Sequence, residues 1–573
     1  MGSPGRSALE GALGTWILYT ALCVNFGSVS GLPNMGPDMY TCKKHAVVPP
    51  YSTVVSCCPP LPTRPIKDFK FEDQTLPMRV RRPAHKVDAA YIEKYNRAYR
   101  LMRALPQDDP RSFHQQSNIH CAYCGFGFKQ LGINVTLEMH GTWLTFPFHR
   151  WYIYFHERIL ASLLNDSSFA LPFWNWDSMM EPERPSQIPE YFYTMPALVD
   201  PLRNPRHRTP AVPDLSTDLT GRSPMDIKNA TLEEVIESNN NLLYQTVVSG
   251  ATLPSLFLGK PLRGGVEKTS LGASAFEVGP HGAIHGWVGD PAQPNGEDMV
   301  HLYSAARDPI FYAHHANCDR MWCDWKNLPG GKRTGFEDDP DWMESQLLFY
   351  DENADLIRVK IKDSLDIVKL RYTYEEVDNP WAHHDSLRFK KHGKSLSSSV
   401  AATGLSSIIL KQNVDKPVTK CGERTRDISF TNNAFHVYIP LGSVNAATKR
   451  RGLFGLFQSS SVVVEEILIL ENIQSPTGKK ISFKIFMDID ADDTTSTADL
   501  SFVAIYNNLP LRSIDEEQKQ DKVTFSIAMG MKLRSLELRK RTCIPISLVP
   551  VPGTNGNAHM ISVSNIYIKS VIP

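Results

Sequence analysis

The spacing of apolar residues changes period part-way along the chain. In DAAYIEKYNRAYRLMRAL, residues 88–105, Tyr91, Ile92, Tyr95, Ala98, Tyr99 and Met102 recur at helical spacing and predict an amphipathic helix. HGTWLTFPFHRWYIYFHERILASLL, residues 140–164, is apolar nearly all round and predicts a long, largely buried helix, with Pro147 tolerable in its first turn. Residues 230–249 and 309–327 predict two further helices, and SAFEVGPHGAIHGWVG, residues 274–289, a loop leading into a short helix. Residues 32–85 are Pro-rich and irregular. Beyond residue 425 the period shortens to two. Runs at 428–441, 459–470, 481–489, 500–506, 523–531, 543–551 and 561–568 are alternating or β-branched, with turn signals between them, and predict a β-sandwich or barrel. Residues 385–425, with RFKKHGKSLSSSVAATGLSS, have a linker composition. The pattern predicts an α+β multidomain chain: a mainly α-helical domain over 32–384, a linker over 385–425 and a C-terminal β-sandwich over 426–573.

Length agrees with that division, because 573 residues exceed one ordinary domain. Formal net charge is zero, so neither nucleic acid nor an anionic membrane surface is an expected partner. Residues 1–31 read as a secretory signal peptide. Arg6 precedes the apolar run ALGTWILYTALCV at 12–24, small residues follow, and cleavage is expected near Gly31. The run falls short of the ~20 residues of a spanning helix, so no membrane partner is expected after cleavage. Sequons at Asn134, Asn165 and Asn229 support the secretory route. In an oxidising compartment most of the ten cysteines should pair, and bridges would tie down the loop-like segment holding Cys42, Cys57 and Cys58. Cys318 and Cys323, on different faces of one predicted helix, are expected to be buried free thiols. Cys421 and Cys543 are left to bridge the C-terminal domain.

Six of the eighteen histidines stand in patterns. His281 and His285 are four apart, which on a helix puts both imidazoles on one face. His140 and His149 flank the start of the long predicted helix, and His120 opens HCAYC. AHHAN supplies His314 and His315. These form two groups of three: His120, His140 and His149, then His281, His285 and one of the doublet. The absence of a carboxylate among them argues against a di-iron bundle site, and against magnesium or calcium. Imidazole suits copper, zinc, iron or nickel. Two adjacent ions suit O2, while a three-histidine zinc hydrolase remains open on ligand count.

The motifs HCAYC, FPFHRWYIYFHERIL, LPFWNWD, HGAIHGWVGD, DPIFYAHHANCDRMW, DWMESQLLFYDEN and YTY at 372–374 resemble those of the plant polyphenol oxidases, the tyrosinase and catechol oxidase group of type-3 copper proteins. The resemblance covers nearly the whole mature chain. It implies a four-helix-bundle core holding two copper ions, one on His120, His140 and His149, the other on His281, His285 and His315, with His314 a neighbour. It also implies a thioether between Cys124 and His140, and disulfides Cys42–Cys58 and Cys57–Cys121. The activity implied is oxidation of o-diphenols to o-quinones, with O2 reduced to water. Glu277 takes the place of a glutamate that holds a water near the metals, and Leu302 that of a residue gating the second copper. Gly282 and Gly286 follow the first two ligands of that copper. Gly282 lacks the amide that aids Glu277 in monophenol-hydroxylating members, so monophenol hydroxylation is expected to be weak or absent.

Asp319 is expected either to orient a ligand imidazole or to make a structural helix contact, Phe311 and Trp287 either to line the pocket or to pack the helices, and Tyr372 and Tyr374 to close on an N-terminal arginine, Arg82. By the same resemblance the sandwich shields the dicopper centre, and an activating protease cuts the linker to release a latent proenzyme. The competing readings are a hemocyanin-like O2-binding protein and a specialised phenolic-biosynthesis oxidase. The expected location is the secretory pathway (vacuole, apoplast or Golgi) in preference to the thylakoid lumen.

Overall fold

The computed structural model describes residues 31–572, apart from 44, 47–53, 181–182, 217–229, 267–271, 291, 294–295, 385–420, 423–424, 442–463, 475–480, 494, 509–521 and 552–559. The signal peptide, Cys23, Asn229 and nearly all of the linker lie outside the described residues.

Six helices matter to the site. α1 is Ala89–Arg103, started by Asp88, whose side chain accepts from Tyr91 N. α2, Phe113–Cys124, carries His120 and was not predicted. Its polar residues Gln116, Ser117 and Asn118 are as buried as its apolar ones, so no amphipathic period shows. Ser112 caps it by accepting from Gln115 N at 3.2 Å. α3 is Thr145–Leu164, five residues shorter at its start than the periodicity predicts. Gly141 has φ +65°, which interrupts any helix there. His140 therefore sits in a turn and His149 on the helix. α4 is Leu232–Leu243, opened by a Thr231–Glu234 capping box and prolonged by a π-helical turn, Tyr244–Ser249. α5, Gly282–Val288, follows a kinked turn over Glu277–His281, with Gly279 at φ −94°, ψ −110°. α6 is Ile310–Asn327. α3 packs against both α1 and α6.

The N-terminal segment is tied to this helical core. Strand β1, Arg79–Arg81, pairs in parallel with β2, Tyr372–Tyr374. Disulfides join Cys42 to Cys58 and Cys57 to Cys121. The arginine that meets the tyrosines is Arg81 rather than Arg82. Its guanidinium lies 3.9 Å from the Tyr372 ring centre and donates to the Tyr374 hydroxyl at 2.8 Å. Strand alternation explains the shift. Arg81 points inward and is fully buried, while Arg82 points out toward Glu375 and Asp88. Arg81 also pairs with Glu157 at 2.8 Å.

Asp319 closes this network. It accepts from Arg150 Nε at 2.5 Å and from the hydroxyls of Tyr372 and Tyr374 at 2.7 and 2.6 Å. Its oxygens are thus committed to arginine and tyrosine, so of its two expected roles the structural contact holds and the contact with a ligand imidazole does not. Burial opposes the charge on Asp319, but Arg150 and Arg81 outweigh it and hold the carboxyl below its usual range.

The C-terminal region contains two four-stranded antiparallel sheets. With β3 Arg426–Phe430, β4 Phe435–Pro440, β5 Glu465–Ile473, β6 Ser482–Met487, β7 Phe502–Asn507, β8 Val523–Ala528, β9 Cys543–Pro550 and β10 Ile561–Val571, the orders are β3-β10-β5-β8 and β4-β9-β6-β7. The first predicted run divides at a turn over 431–434 into β3 and β4. Leu468, Leu470, Phe483, Ile485, Phe525, Ile546 and Leu548 share one apolar core drawn from both sheets. Cys421 bridges Cys543. Ile467, Phe502, Ile505 and Ala528 pack instead into the helical region's core. Ala528 N donates to Gly250 O at 2.9 Å, and Thr252 Oγ1 to Glu465 Oε2 at 3.1 Å. Among the described residues no helix is long and apolar enough to cross a membrane.

Candidate metal centre

Two groups of side chains meet at the centre of the helical region. α2 supplies His120 and Cys124, the turn before α3 supplies His140, and α3 supplies His149. The ligand-type atoms of these four lie within 4.8 Å of one another. His281, His285, His314 and His315, from the kink, α5 and α6, form the second such group. Ring centres are 5.3–5.5 Å apart in the first histidine triad. In the second they are 4.6–5.7 Å apart for His281, His285 and His315. The groups face each other, because His149 and His315 stack with centres 4.0 Å apart and planes 4° from parallel.

One polarity recurs. The Nδ1 of His120, His149, His281 and His285 lies 2.6–3.0 Å from the carbonyls of Leu302, Thr145, Glu277 and Met299. Each Nδ1 is therefore a donor, which leaves its Nε2 a lone pair. The Nε2 atoms of His149, His281, His285 and His315 are buried without a hydrogen-bond partner, and those of His120 and His140 face each other at 3.3 Å. Buried lone pairs converging with no proton between them fit metal ions held by imidazole. Burial, followed by the neighbouring imidazoles, holds His120, His149, His285 and His315 well below the usual histidine range. It brings His281 to about 4. The neutral, ligating form is favoured throughout.

His140 differs, because its Nδ1 faces a carboxylate, Glu277 Oε1, at 3.0 Å. Gly141 N donates to the same oxygen at 2.7 Å. Burial works against the Glu277 charge, but the contacts to His140 and Gly141 outweigh it and keep the carboxyl below its ordinary range. A cavity of about 20 Å³, room for one water, lies against Glu277, His149, His281 and His315.

The doublet divides by which ring turns to the other triad, with His314 Nδ1 also buried without a hydrogen-bond partner. His314 puts its Nε2 3.8 Å from Cys318 Sγ, whereas His315 keeps its Nε2 without a partner and turns to His149. Leu302 serves through its carbonyl on His120. Phe311 packs 4.9 Å from His120 and 4.3 Å from His315. Trp287 lies flat on His207 at 3.4 Å. Gly282 and Gly286 are buried on α5. Cys323 Sγ accepts from Arg150 at 3.3 Å, so that thiol is engaged. The carbonyl supports of Thr145, Met299 and Leu302 had no signal in the sequence, since every residue carries a carbonyl.

Two imidazole triads facing one another, without a carboxylate ligand, define a paired-metal site of the kind that imidazole-bound ions such as copper occupy. The model of the common central domain of tyrosinase matches residues 110–328, the polyphenol oxidase middle domain 337–386, and the chloroplastic polyphenol oxidase C-terminal domain 444–570. Aureusidin synthase of Antirrhinum majus is 46% identical over 371 residues, which span 64% of this chain and 64% of that relative, just under two thirds of its length. The latent form of a chloroplastic polyphenol oxidase from Prunus armeniaca is 38% identical over 90% of this chain and 80% of its own. A solved latent aurone synthase superposes with a TM-score of 0.75 at 32% identity, over 94% of this chain and all of that one. The chain belongs to the plant polyphenol oxidase family, whose cofactor is a pair of copper ions.

Proposed function

We propose that this chain is a latent o-diphenol oxidase, converting o-diphenols to o-quinones while O2 is reduced to water. The observation that carries the reading is the pair of converging triads, with Nε2 lone pairs aimed inward and Nδ1 tied outward. His120, His140 and His149 would hold one copper, and His281, His285 and His315 the other. The bound coppers supply the O2 activation and two-electron chemistry that no side chain here can. The protein contributes rigidity. Backbone carbonyls fix four of the rings, and a thioether from Cys124 would lock His140, beside which it is buried. Glu277, charged and facing the site, accepts a phenolic proton. Phe311 and the buried Leu302 keep the floor dry. Gly282 offers Glu277 no amide, so diphenol oxidation dominates over monophenol hydroxylation.

The architecture supports the same reading. α2, α3, α5 and α6 form a four-helix bundle around the centre, and the two C-terminal sheets a sandwich that shields it. Residues 32–384 act as the catalytic domain, 426–573 as the shield, and 385–425 as the segment where a protease releases latency. The alternative of a specialised phenolic-biosynthesis oxidase is favoured by the 46% identity to aureusidin synthase and by the match to a solved latent aurone synthase. The apolar run at 12–24 and exposed sequons at Asn134 and Asn165 support secretory targeting, although the Prunus relative is named chloroplastic. Protein from a secretory host should hold two coppers and oxidise catechol faster after limited proteolysis. Zinc in place of copper, or no catechol turnover after cleavage, overturns the reading.

A further inference from the structure

β7 of the C-terminal region runs across the kink that carries Glu277 and His281. All six of its residues are buried, and Asn507, its last, is fully enclosed. The Ser482 hydroxyl donates to Asn507 Oδ1, while the amide Nδ2 has no hydrogen-bond partner. Across the interface Glu277 uses one carboxylate oxygen on His140 and Gly141, and its second, Oε2, is also buried without a partner. An orphaned donor and an orphaned charged acceptor face one interface from opposite sides, and each is expensive to leave unmade.

Gly282 lies between Asn507 and the backbone of the turn that carries Glu277. A Cβ built there would lie 3.4 Å from Glu277 O, 3.7 Å from Asn507 Cβ and 3.8 Å from Asn507 O. One carbon fits there in ordinary contact with β7. One turn earlier, Gly279 lies similarly close to Ile505, whose carbonyl would be 3.8 Å from a Cβ there. At both glycines β7 thus lies within side-chain contact distance of the metal-bearing segment.

We infer that Asn507 is a polar latch: its amide engages Glu277 Oε2 through one shared water beside Gly282, and this contact holds the C-terminal region over the metal centre. The inference rests on the latent-oxidase reading and names the contact that keeps it latent. It also assigns Gly282 a second role, meeting the shield as well as withholding an amide from Glu277.

The test uses the full chain and the same chain cut within 385–425. Asn507→Leu keeps the volume and removes the donor, and Asn507→Asp turns a second carboxylate toward Glu277. The cut C-terminal piece should leave the helical region about tenfold more readily in Asn507→Asp than in wild type, followed by size exclusion, with a smaller effect in Asn507→Leu. Before any cut, both variants should oxidise catechol several-fold faster than wild type, and the separated, cut helical regions should be indistinguishable. Unchanged retention with an unchanged uncut rate in both variants overturns the latch. If the aspartate variant fails to fold, the leucine variant decides alone. A wild-type chain that holds copper but oxidises no catechol after cutting overturns the oxidase reading instead, and retention of the piece still judges the latch.

Discussion

The two histidine triads reach nearly the same geometry by different routes. The second is mostly local. His281 and His285 are one helical turn apart on a single short segment, and only His315 comes from elsewhere. The first is assembled from three places, α2, a glycine-broken turn and α3, with the Cys57–Cys121 bridge adjoining His120. The local triad leans on backbone carbonyls. The assembled one also borrows a side chain from the other triad's segment, since Glu277 holds His140. A site built from distant pieces thus depends on tertiary contacts that a helical pair does not need.

The strongest test of that comparison removes one ligand from each triad. His149→Ala and His285→Ala should each abolish catechol oxidation and halve the copper content, by metal analysis. If one variant keeps both coppers, its triad is not a ligand set. Removing the shared brace comes next. Arg81→Met leaves Glu157 and Asp319 as buried carboxylates short of a partner, for a loss of about 3–5 kcal/mol in denaturant unfolding. An unchanged midpoint would mean the network is not sustaining the fold.

Glu277→Gln separates the triads more finely. It withdraws the charge that contacts His140 directly and His281 only at longer range, so copper affinity or turnover should fall roughly 10–100-fold. Loss of the second copper before the first would contradict the asymmetry. Acid should act on both triads together. An unfolded imidazole takes up its proton near pH 6.5, and folded His281 only near 4, so between these values the unfolded state binds more protons. Stability is therefore full above about pH 6.5 and declines toward pH 4. Melting temperatures of the metal-free protein across that window check the sign. The smallest effect is expected from Gly282→Asn, measured on cut enzyme so that β7 does not interfere. The tyramine-to-catechol rate ratio should rise a few-fold, and an unchanged ratio counts against the role assigned to the missing amide.

Much of this was visible before any fold was known. The shift from helical to alternating period marked the two regions, and the four-residue spacing of His281 and His285 announced one triad. α2 was missed because a helix buried on every side has no polar face to reveal it. α3 was drawn too long because periodicity does not register the left-handed glycine at 141. Sequence alone does not separate Arg81 from Arg82, because in a strand one residue divides the inner face from the outer. Of the two roles open to Asp319, the structure takes the structural one, in the arginine–tyrosine brace.

By itself the sequence determined the chemical inventory: six imidazoles, a carboxylate four residues before His281, a sequence of glycines, and two regions of different period. Those are properties of spacing and side-chain type, which local sterics read directly. The tertiary structure decided which lone pairs converge, which carbonyl orients each ring, that Glu277 serves the opposite triad, and that β7 reaches Gly282. Thr145 and Glu277 orient their rings from only four residues away, but the Leu302 carbonyl on His120, Glu277 on His140 and β7 at Gly282 act across more than a hundred positions, and no local pattern encodes that distance.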